Sequence, residues 1–227
     1  MILLTGGSGL LGTELRKRRE YFAPASCDLD VTSPNGIMET VMTAMPRYIV
    51  HCAAYTNVGK AEKEWEQCYR VNAIGTQNMV SIAKAIDAEF VYLSTDYVFD
   101  GQRGGYEPSD IPHPLNWYAT TKLLGEVYAQ TYKRYRIIRT SFKPSPWKHL
   151  KAVEDMWTSA DYVDVIAPLI DRVIGGIVAG TELQRIIHVG TARKTILDLA
   201  RRRTPNVEPI TRAEISVRLP WDTSLKD

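Results

Sequence analysis

The 227-residue chain has only three cysteines and no Cys-x-x-Cys spacing. Cys27, Cys52 and Cys68 are odd in number, which argues against a disulfide framework and for a reduced, cytoplasmic setting. A long apolar run is missing as well. The most apolar stretch, 163–180, carries Asp164, Asp171 and Arg172, too polar for a bilayer span, so no membrane partner is expected. Met1 opens directly onto an apolar strand, so no signal peptide is expected. Charge of one sign is also lacking: 28 Lys and Arg against 26 Asp and Glu leave +2, no field for nucleic acid. Two basic clusters, Arg16 to Arg19 and Arg201 to Arg203, read as solvated helix ends, although the first lies where it could touch a phosphate. No repeat, low-complexity tract or metal-ligand set stands out. What remains is 44% hydrophobic and 24% charged, ordinary for one globular domain with or without a small lobe.

Short apolar runs alternate with longer helical stretches. Strands are expected at 1–5, weakly near 21–26, and at 48–52, 90–94, 135–140 and 186–189. Helices are expected at 11–19, 34–45, 65–87, 117–133, 161–179 and 193–203. This alternation predicts an α/β fold, a Rossmann-like doubly wound parallel sheet, with ligands gathering at the carboxyl ends of its strands. Thr5–Gly6, Ala53–Ala54 and Ser94–Thr95 all fall at such ends.

The first of these ends carries Gly6-Gly7-Ser8-Gly9-Leu10-Leu11-Gly12, a Gly-x-x-Gly-x-x-Gly turn leading into a helix. Glycines there allow a tight turn and close backbone approach, and the helix start offers free N–H groups to a pyrophosphate. Further on, Thr95 closes an apolar strand, and Tyr118 and Lys122 lie four residues apart on the next helix, hence on one face. Of the 12 tyrosines only Tyr118 has a lysine at that spacing. An ammonium beside a phenol favours the phenolate, and such a tyrosine can exchange a proton with a carbonyl oxygen that Thr95 holds. The chemistry suggested is carbonyl reduction or alcohol oxidation.

These motifs, with His51-Cys-Ala-Ala-Tyr-Thr-Asn-Val58, Ala61-Glu62, Val71-Asn-Ala-Ile-Gly-Thr-Gln-Asn78 and Ser94-Thr-Asp-Tyr-Val-Phe-Asp-Gly101, carry a resemblance. The chain resembles the extended short-chain dehydrogenase/reductase superfamily, and within it the dTDP-4-dehydrorhamnose reductase family. The likeness covers residues 1 to about 142 and becomes patchy beyond. It implies an NAD(P)-binding core over 1–142, with 143–227 adding the remaining core elements and a reduced substrate-binding lobe. It also implies NAD(P)H-dependent reduction of the 4-keto group of a nucleotide sugar in dTDP-rhamnose biosynthesis. Thr95, Tyr118 and Lys122 would be catalytic. Gly6, Ser8, Gly9, Leu10, Leu11, Gly12, Asp30, Val31, Ala53, Ala54, Tyr55, Asn72 and Leu93 would serve the cofactor with Tyr118 and Lys122, and Thr95, Asp96 and Phe142 the substrate.

Several of these residues admit a second reading. Asp30 could be a turn or cap residue before Pro34, Asn72 an asparagine at a helical bend, and Asp96 an acid that orders its loop. Phe142, Trp147 and Trp157 suit packing as well as ligand stacking. No acid or base clearly ends the second strand at 23–27, so NAD and NADP stay open, with Arg16 to Arg19 tilting the choice to NADP. The partner expected is a nucleotide-sugar substrate, with a homodimer left open. Two rivals stand: a related nucleotide-sugar epimerase or dehydratase, and a dinucleotide-binding regulatory protein without turnover.

Overall fold

The computed structural model describes residues 1–226. In chain order the first half runs β1 (Ile2–Thr5), α1 (Leu10–Arg16), α2 (Pro34–Ala44), β2 (Tyr48–His51), α3 (Val58–Ala61), α4 (Trp65–Tyr69), a π-helical turn (Arg70–Ile74), α5 (Gly75–Ala85) and β3 (Glu89–Thr95). Then come α6 (Trp117–Gln130), β4 (Tyr135–Thr140) and the short strands β5 (Phe142–Lys143), β6 (Lys151–Val153), β7 (Trp157–Thr158) and β8 (Asp161–Tyr162). The chain closes with α7 (Val163–Val178), β9 (Ile186–Val189), β10 (Lys194–Thr195), α8 (Ile196–Arg201) and β11 (Glu208–Ile210).

Strands β1, β2, β3, β4 and β9 lie side by side in that order, all parallel. Both faces are covered, which is why the strands read as unbroken apolar runs. Leu3, Ile49, Phe90, Tyr92 and Ile137 point to the face packed by α2, α5 and α6. Leu4, Val50, Val91, Leu93 and Ile138 point to the other, packed by Leu11 and Leu15 of α1 and by Ile166, Ile170 and Ile174 of α7. Each such fully buried Leu or Ile contributes about 1.5–3 kcal/mol relative to exposure.

The weak strand expected at 21–26 shrinks to one bridge. Phe22 N donates to Ile2 O at 3.0 Å and Leu4 N to Phe22 O at 2.9 Å, and pairing ends there. Pro24 has no N–H to continue a ladder. The helix expected at 65–87 is interrupted by the π-helical turn, which spacing alone does not distinguish from an α-helix. The last expected helix is also shorter: α8 starts at Ile196 because Thr195 and Asp198 form a capping box.

Beyond β4 the chain builds a small lobe from three two-stranded pairs, β5 with β8, β6 with β11 and β7 with β10. Ala152, Val153, Met156, Ile196, Leu197, Ala200 and Val207 form its own apolar cluster. The closing segment stitches this lobe to the loop after β3. Asp222 N donates to Gly101 O at 3.0 Å, Thr223 N to Trp157 O at 2.9 Å and Tyr106 N to Ser224 O at 2.9 Å.

The basic clusters are not simply solvated. Lys17 and Arg18 reach Glu14, and Arg19 crosses to Asp171. Arg202 and Arg203 tie α8 to Asp161 and Asp164 at the start of α7. Trp147 and Trp157 pack within the lobe, the latter under the Arg193 guanidinium at 3.7 Å.

Candidate active site

A cleft of about 810 Å³ opens along the carboxyl ends of β1 to β4, and the connections reverse at β1, which bridges to Phe22 on one side and pairs with β2 on the other. One end is the glycine turn. Gly6 sits at φ +70°, and a Cβ there would come within 2.7 Å of Ala53 N. A Cβ on Gly12 would meet Gly6 O at 2.3 Å, so these two glycines serve the turn itself. Gly9 is different. Its backbone is ordinary, at φ −71°, and a Cβ would find only Gly6 O at 3.2 Å. As N-cap of α1 it brings no side chain, which leaves the first-turn amides without a capping acceptor. Those amides face the cleft lined by Ser8, Gly9, Leu10 and Leu11, an arrangement that fits a pyrophosphate.

Behind the turn lies a buried polar chain. Thr5 Oγ1 donates to His51 Nδ1 at 2.7 Å and accepts from Ala53 N at 3.2 Å. His51 Nε2 reaches Thr76 Oγ1 at 3.2 Å, and Thr76 donates to Asn72 O at 2.6 Å. Every donor in this chain finds an acceptor if His51 is neutral with its proton on Nε2. Burial supports that state, lowering the imidazole pKa to about 3. The network locks the ends of β1 and β2 to the π-helical turn. Sequence reading missed it, because a histidine inside an apolar strand gives no spacing signal.

At the other end of the cleft stand Thr95, Tyr118 and Lys122. Helix α6 starts cleanly because Asn116 caps it, its Oδ1 accepting from Ala119 N at 2.9 Å. Gly125 lets the helix press onto β3; a Cβ there would lie 2.2 Å from the Tyr92 hydroxyl. One turn on, Glu126 is buried against Arg139 of β4, with Arg139 Nη2 to Glu126 Oε2 at 2.8 Å and Nε to Oε1 at 3.0 Å. Ser94 donates to the same carboxylate. These contacts fix where Tyr118 and Lys122 point.

Lys122 Nζ donates to Leu93 O at 2.7 Å and lies 4.2 Å from the Tyr92 ring centroid. Burial pulls its pKa down to about 8. The Tyr118 phenol is pushed well above its ordinary value by burial, with Thr95 offsetting part of the rise. Lys122 is turned to a backbone carbonyl and an aromatic face, and in this arrangement burial dominates the phenol. A protonated Tyr118 next to Thr95 is arranged to donate a proton. Cys52 also lines the cleft, but burial raises its thiol to about 12, which disfavours the thiolate.

Residues 1–143 match the model described as the RmlD substrate binding domain. The chain belongs to that family. Among similar proteins, a dTDP-4-dehydrorhamnose reductase of Aggregatibacter actinomycetemcomitans is 32% identical over 196 residues, covering 83% of this chain and 66% of that protein. A methionine adenosyltransferase 2 subunit beta of Bos taurus is 33% identical over 137 residues, 55% of this chain and 41% of that one. The chain thus spans just under two thirds of the length of the first relative and less than half of the second. A solved dTDP-4-dehydrorhamnose reductase of Bacillus anthracis, in complex with NADP, superposes with a TM-score of 0.86 at 29% identity, covering 98% of this chain and 87% of that one.

Within this family member, the structure brings most of the expected residues to one cleft. Gly6, Ser8, Gly9, Leu10, Leu11, Gly12, Asp30, Val31, Ala53, Ala54, Leu93, Thr95, Tyr118, Lys122 and Phe142 line it. Asp30 also makes the turn of its other reading, its Oδ1 accepting from Thr32 N at 2.8 Å and Thr32 Oγ1 at 2.9 Å. Three expected residues stand outside. Asn72 is fully buried and clamps both backbone groups of Tyr55, Oδ1 accepting from Tyr55 N at 2.8 Å and Nδ2 donating to Tyr55 O at 3.0 Å. Its Nδ2 also reaches Thr121 Oγ1 at 3.0 Å, so it braces the cofactor-side loop against α6. Tyr55 itself turns its hydroxyl to Glu64. Asp96 is 1% exposed and sealed by Thr223 at 2.7 Å and Thr158 at 3.3 Å, which removes it from direct ligand contact and makes it a loop anchor.

Proposed function

We propose that the chain is an NADPH-dependent reductase of the 4-keto group of a nucleotide sugar, acting in dTDP-rhamnose formation. One observation carries this reading: a glycine turn with uncapped amides and a Thr95–Tyr118–Lys122 cluster occupy the two ends of one cleft. The cofactor, when bound, supplies hydride to the carbonyl carbon. Gly6 to Gly12 would hold its pyrophosphate, Asp30 and Val31 its adenosine side, and Ala53, Ala54 and Leu93 the wall toward the reacting end.

Tyr118 then donates its phenolic proton to the carbonyl oxygen. Thr95 steadies that oxygen; its own bond to Asp96 Oδ1 is long, at 3.3 Å, and easily exchanged for one to a ligand. Lys122 keeps Leu93 O and offers its other hydrogens to a ribose hydroxyl. Arg16 supports NADP over NAD. It makes no ion pair among the described residues, unlike Lys17, Arg18 and Arg19, and its Cδ lies 3.5 Å from the Cβ position of Gly7.

The free thiols of Cys27, Cys52 and Cys68 suit a reducing, cytoplasmic setting, and no described helix is long and apolar enough to cross a membrane. A homodimer stays open within this reading. Multiple-turnover oxidation of NADPH by 4-keto sugar nucleotides such as dTDP-4-dehydrorhamnose tests it. Steady consumption with a reduced sugar as product is expected; NADPH binding with no turnover on any 4-keto sugar nucleotide would overturn it. The second reading, a dinucleotide-binding subunit of another enzyme, draws on the likeness to the methionine adenosyltransferase subunit and on the small lobe. It is the outcome such a negative assay would favour.

A further inference from the structure

The two halves of the cleft differ in charge. Among the described residues Asp30 is the only acid that lines it, and it lies at the glycine-turn end with Pro24, Ser26 and Val31. The reacting end has Lys122 and, one strand further, Lys143, with His149 at the mouth, and no acid among the described residues. Lys122 is committed to Leu93 O. Among the described residues Lys143 is committed to nothing: its ammonium makes no hydrogen bond or ion pair there, and the Asp96 carboxylate acts on it only through space. That carboxylate is already satisfied by Thr95, Thr158 and Thr223.

The position of Lys143 is fixed by its backbone. Strand β5 pairs in parallel with β8, placing Lys143 opposite Tyr162, and Phe142 beside it packs into the sheet core. A half-buried ammonium on a held strand, with no hydrogen-bond or ion-pair partner among the described residues and lining the end of the cleft away from Asp30, is an incomplete ion pair. Burial lowers its pKa, a cost that an incoming anion would relieve.

We propose that Lys143 is an anion-binding residue of the substrate half of the cleft, pairing with an oxyanion of an acidic sugar nucleotide. The inference rests on the nucleotide-sugar reading above and names the feature of the substrate that this chain selects. Two oxyanions have this chemistry, the diphosphate bridge and a carboxylate on the sugar ring. A lysine meets either as a point charge, with a charge-assisted hydrogen bond.

Equilibrium titrations of NADPH-saturated protein decide it, using thymidine, dTDP, UDP-glucose and UDP-glucuronate as probes. Lys143→Met is expected to weaken dTDP about tenfold or more and leave thymidine unchanged, with Lys143→Arg restoring most of the loss. NADPH affinity should stay within about twofold, since the cofactor phosphates lie at the other end. If the loss appears only for UDP-glucuronate and not for UDP-glucose or dTDP, the ring carboxylate is the partner. Equal binding of every anionic probe by wild type and Lys143→Met would overturn the proposal, as would a wild type that binds none of them. These titrations need no turnover. A wild type that binds dTDP through Lys143 yet reduces nothing would sink the reductase reading and leave this one standing.

Discussion

The sheet half and the lobe hold themselves together by different means. In the sheet, strands of four to seven residues are buried on both faces, and helices of 7 to 16 residues cover them. In the lobe, strands are two or three residues long and pairing is done by individual side chains. Asp96 gathers Thr95, Thr158 and Thr223, while Asp222 meets Arg193 and Asp161 meets Arg202. The first kind of structure is continuous and tolerant, the second is discrete. On the function proposed above, the cofactor would sit on the continuous half, and the discrete half would help to distinguish one substrate from another.

That contrast should break most visibly at the one place where the sheet half depends on a single pair. Arg139→Met leaves the Glu126 carboxylate buried without its partner. A loss of about 3–5 kcal/mol in denaturant unfolding is expected, because an uncompensated buried charge is left behind. A loss under about 1 kcal/mol would show that α6 is held by packing alone.

Gly9→Val probes the cofactor end without touching the fold. The valine finds allowed backbone and one close oxygen, so stability should hold while NADPH affinity drops about a hundredfold, roughly 2.7 kcal/mol. Unchanged affinity in a folded variant would remove the phosphate-turn assignment. In the lobe, Thr223→Val takes away the shortest bond to Asp96, expected to cost about 1.5–3 kcal/mol since the acceptor is charged. Burial already raises the Asp96 pKa, so the variant should lose stability further as pH rises above the carboxylate range. A flat difference across pH would mean that Asp96 is not ionised there.

The smallest effect expected is the pH dependence of cofactor binding. Lys122 titrates near 8, below the ordinary lysine value of about 10.4. Its charge is therefore complete below pH 8 and lost as pH rises through it. NADPH affinity should fall about tenfold across that step. Folding stability should move the other way between the two values, because the unfolded chain there binds the extra proton. An affinity that stays level across pH 8 would place Lys122 outside the cofactor's reach.

The same contrast explains what could be read from the chain. Strands β1 to β4 and β9 announced themselves as apolar runs bounded by turns, since a sheet buried on both faces demands such runs. Tyr118 and Lys122 were legible because helical spacing places them on one face. The second strand was not, because Pro24 and small residues around it carry neither pattern. Asn72 gave its helix and hid its job: only the π-helical turn shows it bridging Tyr55 and Thr121. Lys143 follows a recognisable strand end and belongs to no motif. The lobe's two- and three-residue strands lie below any periodicity, and their partners are 19 to 57 residues away in sequence.

The most direct test of the account compares turnover of wild type and Tyr118→Phe with NADPH and a 4-keto sugar nucleotide. Removing one oxygen from a tyrosine that burial keeps protonated should leave NADPH binding intact and lower kcat about 10²–10⁴-fold. Full activity in Tyr118→Phe would contradict the mechanism and require another proton donor at the reacting end.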